Sequence, residues 1–434
     1  MNSRIKLLLT LTIAAFSAQA VADIPLWGDA KNGVSVYGVA DAMLGTVQHS
    51  YTLDSQYANS DALTKAFPAS GNGSNAQTGL INGGISPSRL GLNGNHDLGD
   101  GIKAFFTIEA GINVTTGRLS NAAGCLQSNS GTTAATQNTD CSNSAVNGRI
   151  DSRQGFVGIS EERAGSFALG RNYAVFSDVL SAYDPVQYSQ QFSILGASGG
   201  YGGSGGISED SRVDDSLKYK NSFGPLKLAL LYKPNSTPGS TSAKSAAGFS
   251  IGYEQGNLGI QAGYQSFTDA LKGAISTVVG DVKVTAYDNT AYAIAAKYMV
   301  NDAATVKAGY ESFTLKAASD NITSFTYYWK PVDNAHSSSY TGPDQTTDIS
   351  WIGGDYNFTD KLNVAAGYYD LNFKAYTGTA AGAAHCFSVL ADYTLNKKLD
   401  TYAGIMTISF SGSQTSPTLI SSNQIAGIGA RFKF

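Results

Sequence analysis

The sequence has 434 residues, of which 14% are charged, and a formal net charge of −4. This mild acidity offers no basic surface to a nucleic-acid backbone, so no nucleic-acid partner is expected. The chain contains 49 glycines and 24 tyrosines but only 10 prolines, a composition that favours strands and turns over helices.

The first part of the chain has the pattern of a secretory signal. Arg4 and Lys6 precede an apolar run over residues 7–16, and a small-residue cleavage site ends at Ala22. We therefore expect residues 1–22 to be removed on export. The apolar run is too short for a membrane helix, and no later stretch approaches about 18 consecutive apolar residues. The remainder, residues 23–434, contains no Pro-rich or charged linker, which predicts a single domain.

Beyond the signal, apolar and polar residues alternate with a period of two, which predicts strands with one apolar and one wet face. The clearest case covers residues 101–113, where Phe106 and Ile108 face one way and Lys103 and Glu109 the other. The pattern predicts five early strands, over 34–45, 86–95, 101–113, 149–160 and 166–172. Five hairpins follow, with short turns at 221–225, 255–259, 300–304, 358–361 and 396–400, and then a final strand over 425–434.

The final strand carries an apolar row that ends in Phe434, with Arg431 and Lys433 in the opposite row. A soluble protein would leave this terminal aromatic in water, whereas a strand facing lipid would bury it. The count of 16 strands, with seven short turns alternating with eight longer loops, is typical of an outer-membrane barrel. We therefore predict an all-β protein, a transmembrane antiparallel β-barrel of 16 strands with a water-filled lumen.

Several motifs resemble those of the trimeric general-diffusion porins of Gram-negative outer membranes, and the resemblance covers nearly the whole chain after the signal. The motifs are Ser88-Arg89-Leu90-Gly91, Asp97-Leu98-Gly99, Arg153-Gln154-Gly155-Phe156, Leu169-Gly170-Arg171-Asn172-Tyr173, Arg212-Val213-Asp214-Asp215-Ser216-Leu217-Lys218-Tyr219 and the terminal Phe434. The resemblance implies a homotrimeric channel in the outer membrane for passive diffusion of ions and small hydrophilic solutes. It also implies contacts with membrane lipid and lipopolysaccharide, and recognition of Phe434 by the barrel-assembly machinery.

In that family the loop after the fifth strand folds into the barrel and narrows it; by position this is the loop over residues 173–211. The resemblance assigns the constriction wall to Arg89, Arg153, Arg171, Arg212 and Lys218, and the loop carboxylates to Asp178 and Asp184. Opposed guanidinium and carboxylate groups across a narrow wet passage would create a transverse field that orients dipolar solutes. The first strand departs from the family pattern, because it offers Tyr37 and Asp41 inward but no basic residue.

The cysteines and histidines indicate no cofactor. Cys125 and Cys141 lie in a Ser/Thr/Asn-rich stretch and could close a loop disulfide in an oxidising compartment, whereas Cys386 stands alone. The histidines are scattered, and no two of them have the spacing of metal ligands. We therefore expect neither a metal nor a cofactor.

Three other functions share parts of this pattern. Residues 248–252 and 202–206 match the G-x-S-x-G spacing of a hydrolase, but a nucleophile elbow needs a strand, a sharp turn and a helix. The first match lies within a strand pattern and the second in a Gly/Ser run, so no enzyme is expected. An adhesin would not need arginines at inward positions of several strands. A substrate-selective porin remains an alternative, because only its binding preferences would distinguish it.

Overall fold

The computed structural model describes residues 24–29, 31–47, 77–115, 117–119, 153–196, 212–234, 245–267, 287–317, 326–327, 336–337, 344–374, 381–412 and 422–434. The predicted signal and the predicted disulfide between Cys125 and Cys141 lie outside these residues. Within them, no helix is long and apolar enough to span a membrane.

The described chain is almost entirely strand. Its elements are β1 (Ile24–Gly28), β2 (Asn32–Val47), β3 (Gln77–Asn82), β4 (Arg89–Gly99), β5 (Ile102–Asn113), β6 (Arg118–Leu119), β7 (Gln154–Glu161), β8 (Gly165–Tyr173), α1 (Val175–Tyr183), β9 (Arg212–Phe223), β10 (Leu226–Lys233), β11 (Ala246–Gln255), β12 (Leu258–Phe267), β13 (Tyr287–Met299), β14 (Ala304–Ala317), β15 (Thr326–Tyr327), β16 (His336–Ser337), β17 (Gln345–Asn357), β18 (Leu362–Phe373), β19 (Gly382–Asn396), β20 (Leu399–Gly412) and β21 (Ser422–Lys433).

These strands form one closed antiparallel barrel. Each wall strand pairs with the next along the chain, and the last, β21, pairs with β2, from Lys433 opposite Val39 to Ile425 opposite Val47. Strands β3 and β4 together fill one position in the wall. The short strands β1 and β6 pair with β2 and β5, and β15 and β16 form a separate two-stranded sheet. The wall therefore has sixteen strands, which confirms the predicted fold class.

The second wall position is interrupted. Asn82 at the end of β3 lies opposite Ala42, whereas Arg89 at the start of β4 lies opposite Val39. Six residues, 83–88, therefore stand against the two residues of β2 between these pairs. The strand predicted over 86–95 begins later than expected, at Arg89, because residues 83–88 leave the ladder and turn into the barrel.

Alternation along the strands separates an apolar outer face from a polar inner one. Val157, Ile159, Ile294, Ile352 and Ile428 point outward and each is more than half exposed. A continuous apolar band of this kind is what a wall in contact with lipid requires. On β21 the predicted faces are confirmed, because Phe432 is exposed while the neighbouring Arg431 is buried inside the barrel.

The interior holds the stretch over residues 174–196, here called the inward segment, which contains α1. The apolar side chains of Phe176, Val179 and Leu180 are fully buried in one cluster with inward-facing residues of the wall. The wall offers the alanines of β13 and larger residues such as Trp351 to this cluster. We expected a water-filled lumen, but this part of the interior is packed, because the inward segment is itself apolar and buries that surface on the wall. Residues 174–196 therefore lie inside the wall.

Candidate pore constriction

The first carboxylate of the inward segment lies in α1. The helix begins after Ala174, which has an extended backbone (φ −60°, ψ 147°) and makes no side-chain cap. Asp178 lies in the first turn, where a negative charge is favoured by the helix dipole. Its Oδ2 lies 2.6 Å from Nζ of Lys218 and 2.7 Å from Nζ of Lys220, both on β9. Burial acts to raise the pKa of this carboxyl, but the two ammonium groups prevail and hold the pKa below its ordinary value.

The second carboxylate, that of Asp184, closes the turn that follows α1. It accepts hydrogen bonds from the backbone N–H of Tyr188 at 2.5 Å, from Ser193 Oγ at 3.0 Å and from the Tyr369 hydroxyl at 2.6 Å. Burial raises the pKa of Asp184, and these hydrogen bonds oppose the rise. Lys307 Nζ donates to the main-chain carbonyl of Asp184 at 2.9 Å. Asp184 therefore holds the shape of the inward segment and fixes it to the wall.

On the wall, two of the predicted arginines share one carboxylate. Glu109 on β5 lies 2.7 Å from Arg153 Nε and 3.4 Å from Arg89 Nε, and it accepts a hydrogen bond from the Tyr37 hydroxyl at 3.0 Å. All four side chains are buried on the inner face of the barrel. Glu109 therefore fixes the directions of two guanidinium groups and neutralises one of their two charges.

Tyr173, at the end of β8, joins Arg212 to this group. Its hydroxyl accepts hydrogen bonds from Arg153 and, at 3.5 Å, from Arg212 Nη2, and the Arg212 guanidinium lies 4.9 Å from the ring centroid. Such a cation over an aromatic ring is held by the ring quadrupole. Arg171 Nη1 lies 2.5 Å from Asp214 Oδ1 on β9. Tyr173 and Glu109 thus connect Arg89, Arg153 and Arg212, and Arg171 pairs separately with Asp214.

A β-bulge explains the position of Arg171. By simple alternation it would share the outward face of Phe167 and Leu169, which are exposed. The pairing of β8 with β9 shifts register between Gly170 and Asn172, and Gly170 has φ of +134°. The extra residue of this bulge lies on β9, between Val213 and Ser216. At Gly170 the backbone of β8 leaves strict alternation, and Arg171 is buried beside Asp214.

Among the described residues around this site, the basic side chains outnumber the acidic ones. The bases are Arg89, Arg153, Arg171, Arg212, Lys218 and Lys220, and the acids in contact with them are Glu109, Asp178 and Asp214. Six positive and three negative groups leave an excess of three positive charges. Charges within about 8 Å of a permeating ion act on it most strongly at physiological salt.

The structure brings the predicted residues together in part. Lys218 and Asp178 are in contact, Arg89 and Arg153 share Glu109, and Tyr173 joins Arg212 to them, but Arg171 pairs separately with Asp214, and Asp184 is directed into the inward segment and towards Tyr369. Whether these residues limit the passage stays a prediction.

Sequence reasoning did not single out several residues that the structure places in or near the site. Glu109 lies in the predicted inward row of β5, and Lys220 has the same parity as Lys218, so alternation alone could have found both. Arg431 forms a second charged group, with its Nε 2.9 Å from Asp400 Oδ1 and its Nη2 3.1 Å from Asp392 Oδ2.

The other candidate groups have structural positions. Ser250 of the G-x-S-x-G match lies in the middle of β11 and accepts a hydrogen bond from Gln261 Nε2 at 3.1 Å, so its strand makes no elbow there. Cys386 is a free, buried thiol. In the described ranges, no three His, Cys, Asp or Glu side chains come together as metal ligands.

Known proteins resemble this chain in sequence. The family model described as Gram-negative porin matches residues 9–413. An outer membrane porin protein of Bordetella pertussis is 28% identical over 156 residues, and this match covers 36% of the present chain and 32% of that relative. The matched region is therefore about a third of the length of the curated relative.

Solved structures share the fold. The anion-selective porin from Comamonas acidovorans superimposes with a TM-score of 0.63 at 18% identity, over 93% of this chain and 100% of that one. The outer-membrane expressed OmpT of Vibrio cholerae gives 0.57 at 17%, over 95% and 100%, and the OmpF of Salmonella typhi gives 0.55 at 18%, over 95% and 100%. Since the family model spans most of the sequence, the chain belongs to the Gram-negative porin family, and its barrel lies in the outer membrane.

Proposed function

We propose that this protein forms a water-filled channel through the outer membrane for the passive diffusion of ions and small hydrophilic solutes. One observation carries the proposal: a segment folded inside a closed sixteen-strand wall bears Asp178 against Lys218 and Lys220 of that wall. The proposed constriction is the part of the lumen that this contact and the wall arginines border. A solute that crosses it exchanges bulk water for fixed charged groups, which penalises apolar solutes.

The charge of the site favours anions. Its excess of three positive charges arises largely from arginines, which stay charged at every pH that a folded protein survives. The Comamonas acidovorans porin is described as anion-selective, and the same preference here follows from the local excess even though the whole chain is acidic. Charges outside the membrane count little, because salt screens them.

Planar-bilayer recording of the purified protein tests the channel function and the anion preference. A tenfold salt gradient across a single channel should give ohmic conductance and a reversal potential on the anion side. Small sugars should pass in a liposome-swelling assay at rates that fall with their size. Absence of conductance would contradict the proposed channel function, and a reversal potential on the cation side would contradict the anion preference.

The assembly we propose is a homotrimer. Small outward positions on the early strands, among them Ala40, Ala42 and Ala104, permit close contact between walls, whereas the ring of Phe434 covers Gly38. One Vibrio cholerae OmpT structure is described as a trimer form. Chemical cross-linking and native mass measurement of the detergent-extracted protein should give three copies. A single copy throughout would remove this proposal.

The remaining partners follow from the position of the barrel. The outward apolar band would contact membrane lipid, and the ends of the strands next to the long loops would contact lipopolysaccharide. Phe434 pairs through its backbone with Gly38, at 3.1 Å for its N–H and 2.7 Å for its carbonyl. We propose that this terminal residue is the part of the chain recognised by the barrel-assembly machinery. Deleting Phe434 should lower the yield of assembled barrel in cells.

We propose no enzymatic activity, since the inner face is occupied by paired charges and by the packed inward segment. A substrate-selective porin is the second candidate function. Competition between a solute and chloride current in the same bilayer separates the two, because a general channel shows no saturable block.

A further inference from the structure

Asp41 on β2 is an acid on the inner wall of the barrel. Its side chain is fully buried. It lies beside the six residues, 83–88, that interrupt the second wall strand, here called the strand break. A carboxylate with no exposed surface needs several hydrogen bonds to remain charged.

The strand break supplies these hydrogen bonds. Three consecutive backbone N–H groups point at the Asp41 carboxylate, those of Gly84 at 2.9 Å, Ile85 at 3.1 Å and Ser86 at 2.8 Å. The Tyr402 hydroxyl donates a fourth. Successive N–H groups that converge in this way form an anion-binding nest, and here the anion is a side chain of the neighbouring strand.

Further contacts make the shape of the break depend on Asp41. Ser88 Oγ donates to the Asp41 carbonyl at 2.9 Å, and Gly83 N–H donates to the same carbonyl at 2.8 Å. Gly83 has φ of +76°, a conformation that favours glycine. At Gly84 a Cβ would lie 2.0 Å from the Tyr402 hydroxyl, so only glycine fits there.

The opposite side of the strand break holds the inward segment. Residues 189–191, here called the segment tip, bind its carbonyl groups: Gln190 N–H donates to Ile85 at 3.0 Å, and Gln191 N–H donates to Gly84 at 3.0 Å. Ser189 Oγ donates to the Gly84 carbonyl at 3.1 Å. Gly84 and Ile85 therefore each direct their backbone N–H group at Asp41 and their carbonyl group at the segment tip.

The strand break also leads directly into the wall of the constriction. Arg89 is the first residue after it, and Arg89 Nη1 donates to the carbonyl of Pro87 at 3.3 Å. The break thus contacts both components of the constriction, the inward segment and one of the arginines. Ser86 Oγ accepts a hydrogen bond from Arg431 Nη1 at 2.9 Å, which joins the break to the last strand.

We propose that Asp41 is a positioning residue for the constriction, which acts through the strand break to hold the segment tip and Arg89 at fixed places. It touches neither the tip nor the passing solute. The proposal rests on the channel function proposed above, since it explains what keeps the width of that channel fixed. Loss of the charge should let the break relax, and the tip and Arg89 should then move together.

Hydrogen exchange of the full-length protein folded in detergent micelles tests this directly. In Asp41→Asn the side-chain amide nitrogen faces N–H donors and cannot accept a hydrogen bond from them. The exchange of backbone amide hydrogens should therefore rise about tenfold in residues 83–88 and also in residues 189–191. The matched control is Asp392→Asn, which removes another inward carboxylate that binds Arg431 but does not contact the break. That control should leave both regions at the wild-type rate.

Single-channel recording supplies a second measurement. Asp41→Asn should increase current fluctuations in the open state and lower the voltage at which the channel closes, while Asp392→Asn should change neither. If Asp41→Asn does not assemble, Tyr402→Phe takes its place, because it removes one of the four hydrogen bonds and keeps the charge. Exchange in both regions should then rise by a smaller factor.

Unchanged exchange at residues 189–191 in the folded variant would overturn the proposal. If exchange rises at residues 83–88 alone, Asp41 stabilises only its own neighbourhood. The exchange measurement does not depend on conduction. A wild-type protein that fails to conduct would remove the proposed function and leave this result standing.

Discussion

Glu109 and Arg153 are bound to each other twice. The Arg153 Nε lies 2.7 Å from Glu109 Oε1, and the backbone N–H of Arg153 donates to the carbonyl of Glu109 at 2.9 Å. Since Arg89 and Tyr37 share the same carboxylate, one acid on β5 sets the geometry of the whole neighbouring wall.

Replacing this acid is expected to change both stability and selectivity. Glu109→Gln leaves two buried guanidinium groups without their carboxylate, and removing one partner of a buried pair costs about 3 kcal/mol. The unfolding transition in detergent should move to lower temperature, and the reversal potential should shift further towards anions. Glu162→Gln, at an exposed turn position, is the control. Equal behaviour of the two variants would show that Glu109 holds no structure in the wall.

The apolar contact between the inward segment and the wall gives a second prediction. A Cβ at Gly404 would lie 2.7 Å from the ring of the buried Phe192, so Gly404→Ala should displace the segment at a cost of about 2 kcal/mol. Gly79→Ala is the matched control on another wall strand, where a Cβ meets nothing within 4 Å. Thermal unfolding and current fluctuations are measured for both.

The packing explanation for Gly404 has its own check. Phe192→Leu in the Gly404→Ala background should recover part of the lost stability, because the smaller side chain makes room for the added methyl group. No recovery would mean that the loss arises in the backbone of β20 and not in the contact.

Sequence alternation predicted the wall well, because on each strand one face meets lipid and the other does not. The faces of β21 and the inward direction of Asp41 follow from parity alone. The strand break does not, since the pattern continues the predicted strand back to residue 86, and the groups that shape residues 83–88, Asp41 and Tyr402, are distant in sequence. The bulge beside Gly170 is similar, because an extra residue on β9 and the unusual backbone of Gly170 break the alternation that would have placed Arg171 on the outer face.

The partners of the charges were still harder to predict. The resemblance placed Asp178 and Asp184 together as loop carboxylates, yet one binds lysines of β9 and the other closes a turn. Nothing in the spacing of the two acids distinguishes them. The difference arises from the orientation of α1 about its axis and from the turn that follows it. Both depend on how the inward segment packs against the apolar residues of the wall.

A third prediction concerns the disulfide between Cys125 and Cys141, which lie outside the described residues. Closing a loop of about 16 residues stabilises the folded chain by roughly 3 kcal/mol on the loop-entropy model. Peptide mapping of protein exported to the periplasm, without reduction, should find the two cysteines joined and Cys386 free. Finding all three thiols free would exclude the bond.

The two carboxylates of the inward segment should respond differently to pH. The pKa of Asp178 lies below its ordinary value of 3.8, so its charge, and the stability gained from its lysines, persist at pH 4 and are lost only as the pH falls through the lowered pKa. The pKa of Asp184 is raised, so this group takes up its proton above pH 3.8. Asp178→Asn should therefore shift the reversal potential towards anions at pH 7 and equally at pH 4.

Asp184→Asn is the comparison for this titration. Its effect on selectivity should be small at pH 7, since the carboxylate is directed away from the passage, and smaller still at pH 4. Its main effect should be on the fluctuations of the open channel. A shift that disappears at pH 4 for Asp178→Asn would contradict the lowered pKa.

The last prediction tests the arginines themselves. Replacing Arg89, Arg153 and Arg212 with glutamine leaves three bases, Arg171, Lys218 and Lys220, against three acids, so the local excess of positive charge disappears. The reversal potential should move towards cations and approach zero. The barrel should still assemble, since inward substitutions do not face lipid.

Adding Glu109→Gln to this triple variant makes the test sharper. Three bases then face two acids, so part of the anion preference should return, although the protein carries no additional positive charge. Arg163→Gln, at an exposed turn position, controls for the loss of an arginine and should leave the reversal potential unchanged. If the fourfold variant does not move back towards anions, or if Arg163→Gln shifts selectivity as much as the triple variant, the charges that select ions lie elsewhere on the chain.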